Sequence, residues 1–446
     1  MTTRRDFIRR AGFASAASLT LPAIPGCTDP ASDPGADLST GRAPGLQLPP
    51  PPEGTPAQVA RDEAYWSRVA AQYAVTDRVT NLEAGFFGMM PAPVLAAYHE
   101  HIDRVNLESS YFARTAYGEI AREARARTAA ALGVAPGEVA FARNATEALQ
   151  VLIGQYNRLQ AGESVMYADL DYPAMQQAMN ELAERKGAEV ATLVIPEPAS
   201  KDGVLEAYAA AFDANPRTHL LLLTHTNNKT GLIHPVAELT EMAESRGIDV
   251  IVDAAHSFGH VPLALPDLRA PFVGINLHKW VGAPVGVGAL YIREDQLDAI
   301  DRAHGDPGPL DRIDSRIHTG TTNFATIMTV PDALDFQEQI GVPNKAARLR
   351  YLRDAWVGPA REIAGVDILT PDDADLVGAL TSFRLNGDGS REGNLEVART
   401  LAEDFGLFTV YRTGVSKGDC VRVTPSLYNS PADGEKLVEA LGVMAG

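Results

Sequence analysis

Val250-Ile251-Val252-Asp253-Ala254-Ala255-His256-Ser257-Phe258-Gly259 is a short apolar run that ends on a carboxylate and gives way to small and polar residues. An apolar run of this length without polar alternation reads as a strand covered on both faces, the habit of parallel sheets. Asp253 then stands at the carboxyl end of that strand, and open parallel sheets take their ligands beyond those ends. Taken alone, an Asp in such a place is a turn or helix cap.

The pattern repeats on either side. Short apolar runs at 139–142, 164–167, 189–195, 219–224 and 272–275 alternate with helical segments at 173–186, 204–214 and 235–246. This alternation predicts an α/β fold, a mostly parallel central sheet with helices on both faces. Upstream, helical spacing around Trp66, Val69 and Tyr73 leads into Asn81-Leu82-Glu83-Ala84-Gly85-Phe86-Phe87-Gly88, a Gly-bearing stretch that reads as a loop near a ligand, and 121–132 is a helix stopped by Gly133. Beyond about Val330 the order changes to a long helix through Leu352, strands at 378–385, 408–412 and 421–424, a helix at 394–405 and a last helix from Pro431, which predicts a smaller C-terminal α/β domain over 331–446 after a large domain over 61–330.

Lys279 follows the 272–275 strand in His278-Lys279-Trp280 and precedes the Gly/Pro-bearing run 282–288. A lone loop Lys is usually solvated. Its meaning changes beside Asp253 and Arg143-Asn144-Ala145-Thr146-Glu147-Ala148, a turn between a strand and a helix, where backbone N–H groups and a Thr hydroxyl make an anion site. An aldehyde-bearing phosphate cofactor needs these three parts: an amine for a Schiff base, a carboxylate for a pyridine nitrogen, and donors for a phosphate.

With Asp253-Ala254-Ala255-His256, His278-Lys279-Trp280 and the glycines that follow, the chain resembles the class V aminotransferase group of fold-type I pyridoxal 5′-phosphate enzymes, which includes cysteine desulfurases, kynureninase and isopenicillin N epimerase-like proteins. The resemblance runs from about Asn81 to the C-terminus. It implies that Lys279 carries the Schiff base, that Asp253 pairs with the ring nitrogen and that His256 hydrogen-bonds near the ring oxygen. Ala145 and Thr146 would hold the phosphate, helped by His278 and by Asn276, where the family more often has Ser. Tyr172 takes the place of the ring that stacks on the cofactor, and Asn228, in Thr226-Asn227-Asn228-Lys229-Thr230-Gly231, that of a cofactor or substrate contact. Thr321, in Gly320-Thr321-Thr322-Asn323, matches a loop that reaches the neighbouring subunit's phosphate, so the resemblance implies a homodimer with shared sites. Arg422 matches the arginine that binds the substrate carboxylate. Ser426 replaces a frequent His, which leaves the substrate group open; Arg114 and Phe86 are the candidates for a side-chain pocket.

Acidic residues outnumber basic ones 57 to 39, and beyond the extreme N-terminus no Lys/Arg block stands out, which disfavours a nucleic-acid partner. That N-terminus, Thr3-Arg4-Arg5-Asp6-Phe7-Ile8-Arg9 followed by the small apolar run 11–24, matches a twin-arginine export signal over 1–27, and the run is too short to span a bilayer as a helix. Residues 28–60 are Pro-rich and read as a linker, and Cys27, in Ile24-Pro25-Gly26-Cys27, resembles a lipid-bearing first residue. The expectation is a protein passed to the twin-arginine translocase and working in the periplasm, anchored or free. An export signal on an epimerase-like sequence resembles periplasmic enzymes that tailor peptide siderophores.

The parts predict carbanion chemistry at the α-carbon of an amino acid or of an amino group on a peptide, with the freed Lys279 as base. Transamination, epimerisation, β- or γ-elimination, including lysis of a C–S bond, and decarboxylative oxidation all stay open. Desulfuration through an enzyme thiol is set aside, because Cys420 lies in a strand two residues before Arg422 and reads as core. A reading from another class is an exported binding protein that has kept the fold and lost turnover.

Overall fold

In the computed structural model, which describes residues 48–446, the chain enters through two short helices, Pro56–Val59 and Glu63–Ala70, and a two-residue strand, β1 (Thr80–Asn81). The central sheet follows: β2 (Val139–Ala142), β3 (Ser164–Ala168), β4 (Glu189–Leu193), β5 (Thr218–Thr224), β6 (Asp249–Asp253), β7 (Phe272–Asn276) and β8 (Gly288–Ile292), in the order β2-β8-β7-β6-β5-β3-β4. Strands β4, β3, β5, β6 and β7 pair in parallel, and β8 alone runs against its neighbours.

Alternate residues of the central strands feed two cores, as the side-chain period of two requires. Leu220, Leu222 and Ile251 pack on one face with Leu149 of helix Ala145–Gly154 and Met175 and Met179 of helix Pro173–Lys186. Leu221, Leu223, Val250 and Val252 pack on the other with Val204 and Tyr208 of helix Lys201–Ala214 and Leu239 of helix Val236–Glu244. The mostly parallel sheet with helices on both faces is therefore the architecture read from the sequence.

A second, antiparallel sheet has the order β12-β13-β10-β9, from β9 (Val366–Ile368), β10 (Thr381–Leu385), β12 (Val410–Arg412) and β13 (Cys420–Val423). A third core gathers around it from Phe383, Val421, Val423, Trp356 and Leu437. Leu82 joins this core, because β1 pairs in parallel with β11 (Leu407–Phe408) and Glu83 bridges to Thr424. The early segment 80–84 is thus stitched to the C-terminal sheet.

Five local readings change. The strand β8 and the helical segment Ala92–Thr115, kinked at Ser109, were not legible as elements, nor was β9. The single long helix is two, Val330–Ile340 and Val342–Arg361, parted at Gly341 with φ 82°. Packing also begins before Arg61: Leu48, Val59 and Ala60 are buried, and Trp66 Nε1 donates to the Val59 carbonyl at 2.7 Å. The twin-arginine stretch, Cys27 and 28–47 lie outside the described residues.

Candidate active site

Strand register brings the candidate residues to one edge. Asp253 ends β6 opposite Thr224 and Gly274, and Asn276 ends β7 opposite Gly288, which also faces Ala142 at the end of β2. Helix Ala145–Gly154 starts three residues after Ala142, capped by Asn144, whose side chain accepts the Glu147 N–H at 2.8 Å. Because β8 returns antiparallel, its first residue lies beside these carboxyl ends and encloses the loop that bears Lys279.

That loop is fixed from above by the segment the sequence marked as irregular. Gly88 N donates to the His278 carbonyl at 2.8 Å, and a Cβ on Gly88 would stand 1.8 Å from the Lys279 carbonyl oxygen, so only glycine permits the crossing. His278 Nδ1 donates to the Val287 carbonyl at 2.8 Å, which leaves Nε2 for a ligand.

Lys279 Nζ lies 2.8 Å from His256 Nε2. Trp280 Nε1, which can only donate, faces His256 Nδ1 at 3.4 Å, so the ring proton belongs on Nε2 and the contact asks for the lone pair of a neutral amine. Burial pushes the Lys279 amine down to about 7, Arg422 pushes the same way, and Asp253 and Glu83 oppose it. Burial also keeps His256 neutral. The indole is itself clamped: His260 stacks on it at 4.0 Å and 9°, with Nδ1 donating to the His256 carbonyl at 2.9 Å and Nε2 accepting the Ala379 N–H at 2.8 Å.

Asp253 is buried with Oδ1 on the Ala255 N–H at 2.9 Å. Desolvation raises its carboxyl, countered by that N–H and by Lys279. Its second oxygen has no hydrogen bond among the described residues, so the group is a buried acceptor that a cationic ring nitrogen would satisfy. On the anion side, Asn276 Oδ1 takes the Ala145 N–H at 2.7 Å. The Ala145 amide is therefore engaged within the protein, and the donors left for a phosphate are the half-buried Thr146, the Asn276 amide nitrogen and His278 Nε2. An amine poised to attack, a carboxylate with one oxygen unbonded among the described residues and a cluster of donors at a helix start fit the phosphate-bearing aldehyde cofactor.

Arg422 on β13 reaches this edge fully buried. Nη1 donates to the Asn228 carbonyl at 2.8 Å and Nη2 to Glu83 Oε1, while Arg412 Nη2 lies 3.5 Å from the same oxygen. Asn228 thus meets Arg422 through its backbone. Its neighbour Asn227 holds the turn, with Oδ1 accepting the Lys229 and Thr230 N–H groups at 2.8 and 2.9 Å. Tyr172 is 40% exposed at the start of helix Pro173–Lys186, and Thr321 is exposed on a loop, with no contact to Lys279 among the described residues. Arg114 and Phe86 are exposed too. Sequence reasoning missed Glu83 and Arg412; the only signal was that Glu83 falls in the irregular 81–88 stretch.

The aminotransferase class-V family profile matches residues 88–407. Isopenicillin N epimerase of Amycolatopsis lactamdurans is 32% identical over 410 residues, covering 84% of this chain and 98% of that protein. A cysteine desulfurase of Haloferax volcanii is 26% identical over 77% of this chain and 82% of its own. Among solved structures, the apo cysteine desulfurase of Thermococcus onnurineus NA1 superposes with a TM-score of 0.73 at 21% identity, over 84% of this chain and 97% of that one. A C-DES variant with glycine covalently linked to its pyridoxal-phosphate cofactor gives a TM-score of 0.72 at 19% identity, over 83% and 98%. With the fold, the meeting of Lys279 and the buried Asp253 at one sheet edge and a match across most of its length, the chain belongs to the class V aminotransferase family of pyridoxal-phosphate-dependent enzymes.

Proposed function

We propose that this protein removes the proton from an amine-bearing α-carbon, in a free amino acid or in an amino group carried on a peptide, with Lys279 as both cofactor anchor and base. The observation that carries the reading is the Lys279 amine itself: partly buried, held by His256 Nε2 at 2.8 Å and brought down to about 7. A lysine of ordinary pKa would be protonated near neutrality and useless as a base. The cofactor supplies an electron sink for the charge left on the α-carbon. Lys279 Nζ takes the proton, His256 orients that amine, Asp253 holds the ring's positive nitrogen, and Arg422 receives the substrate carboxylate. Thr146, Asn276 and His278 would bind the phosphate, with Tyr172 over the ring.

Returning the proton to the opposite face gives epimerisation, and the 32% identity to isopenicillin N epimerase favours that outcome over amine transfer. Persulfide chemistry through an enzyme thiol is disfavoured, since burial pushes the Cys420 thiol up to about 11. Incubation with a panel of amino acids and amino-terminal peptides in deuterated water, read by mass spectrometry and chiral separation, tests the proposal. Deuterium at the α-carbon with inversion supports it; no exchange with any member refutes it.

The Arg4-Arg5 signal supports export by the twin-arginine route, and Thr321 supports a dimer that completes each other's phosphate sites. Arg4→Lys together with Arg5→Lys is expected to leave the protein in the cytoplasm of a host with that translocase. Unchanged appearance in the periplasmic fraction would refute the export reading.

A further inference from the structure

Arg422, which the proposed function assigns to the substrate carboxylate, already holds one. Nη2 donates to Glu83 Oε1 and Nη1 to the Asn228 carbonyl at 2.8 Å. The side chains of this ion pair are 1% and 4% exposed, and Glu83 Oε2 and Arg422 Nε are buried with no hydrogen-bond partner among the described residues. Arg412 reaches the same carboxylate oxygen, its Nη2 3.5 Å from Oε1 and its side chain 25% exposed. Its Nε is likewise buried with no hydrogen-bond partner among the described residues. Two guanidinium groups therefore share one carboxylate oxygen. Two residues past Glu83, a Cβ on Gly85 would lie 2.5 Å from Arg422 Nη2, so the chain leaves room over the guanidinium only because that residue is glycine.

We propose that Glu83 is a specificity-determining residue, an internal carboxylate that holds Arg422 until a substrate carboxylate displaces it toward Arg412. A buried guanidinium without a counter-ion is strongly unfavourable, so the substrate-free site needs a carboxylate of its own. Exchange keeps the charge balanced, because one carboxylate enters as another leaves, and Arg412 has the unpartnered donor that receives Glu83. A substrate lacking a carboxylate cannot drive the exchange. The internal pair thus subtracts from the affinity of every carboxylate ligand and from no other, which makes the site a selector of charge. The inference rests on the reading of Arg422 and Lys279 given above.

The test uses cofactor-loaded wild-type, Glu83→Gln and Arg412→Gln proteins with two probes, L-alanine and ethylamine, the amine without the carboxylate. Dissociation constants come from calorimetry and from the shift of the cofactor's visible band. Glu83→Gln, freed of the internal competitor, is expected to bind L-alanine about tenfold more tightly, and Arg412→Gln about tenfold more weakly, with ethylamine unchanged in both. Equal or weaker L-alanine binding by Glu83→Gln, as for a carboxylate that merely positions Arg422, overturns the inference while leaving the cofactor reading intact. Should Glu83→Gln fail to fold, the L-alanine to ethylamine ratio in Arg412→Gln decides alone, and an unchanged ratio overturns the inference. A wild-type protein without a visible band overturns the Lys279 reading and this inference together.

Discussion

Lys279 gains its character from what surrounds it rather than from its own chemistry. Burial and the nearby Arg422 disfavour the ammonium, and Trp280 sets the His256 proton so that it points at the amine. With its pKa at about 7, the neutral, nucleophilic form grows as pH rises through 7 and is nearly complete a unit or so above. Capture of pyridoxal phosphate by the apoprotein, followed by stopped-flow absorbance, should therefore accelerate through about pH 7 and then level. A rate still climbing toward pH 10, where an unperturbed lysine titrates at about 10.4, would contradict the shift. The same shift has a consequence for stability. Between pH 7 and the ordinary lysine value the unfolded chain holds a proton that the folded one lacks, so apoprotein stability rises with pH across that window. Asp253 and Lys279 were legible in the sequence because the first ends an apolar strand and the second lies three residues past another, and strand ends are where such sheets place ligands. Glu83 and Arg412 were not, because their meeting depends on β1 pairing with β11, a contact across more than three hundred residues that no local pattern announces.

At the scale of elements, the parallel strands and their helices could be read because each carries its own period. Helix Pro173–Lys186 falls where its pattern predicts, ended by Gly187 at φ 67°. The strand β8 was hidden by the glycines around it, since Gly288 opens it and a Gly/Pro run precedes it; only its pairing between β2 and β7 makes it a strand. The break at Gly341 was hidden for the opposite reason, because apolar residues continue through it. The contact between 84–91 and the Lys279 loop is where an element governs chemistry. Gly88→Ala forces a methyl against the Lys279 carbonyl, and overpacking of that kind costs about 1–3 kcal/mol. The expected result is a lower melting temperature and weaker cofactor retention on gel filtration, and a variant matching wild type in both would contradict the crossing.

The whole chain leaves large apolar side chains outside. Leu107 is 86% exposed, Phe86 73% and Tyr111 72%, more than a finished surface usually spends on groups of that size. The proposed dimer would cover them and share its phosphate sites. Sedimentation equilibrium is expected to give twice the chain mass, and Leu107→Asp with Tyr111→Asp to shift the protein to monomers that lose cofactor. A wild-type monomer carrying one cofactor per chain would contradict the shared site. The formal charge of −18 bears on solubility and on the rate at which charged ligands arrive.

The claim on which the rest depends is a covalent bond between this chain and pyridoxal phosphate at one amine. Borohydride reduction of the loaded protein, followed by proteolysis and peptide mass spectrometry, measures it directly. The account predicts a single phosphopyridoxyl adduct on the peptide holding His278-Lys279-Trp280, absent after Lys279→Ala. An adduct on another lysine, Lys229 or Lys345 among the buried ones, or none at all, would contradict it.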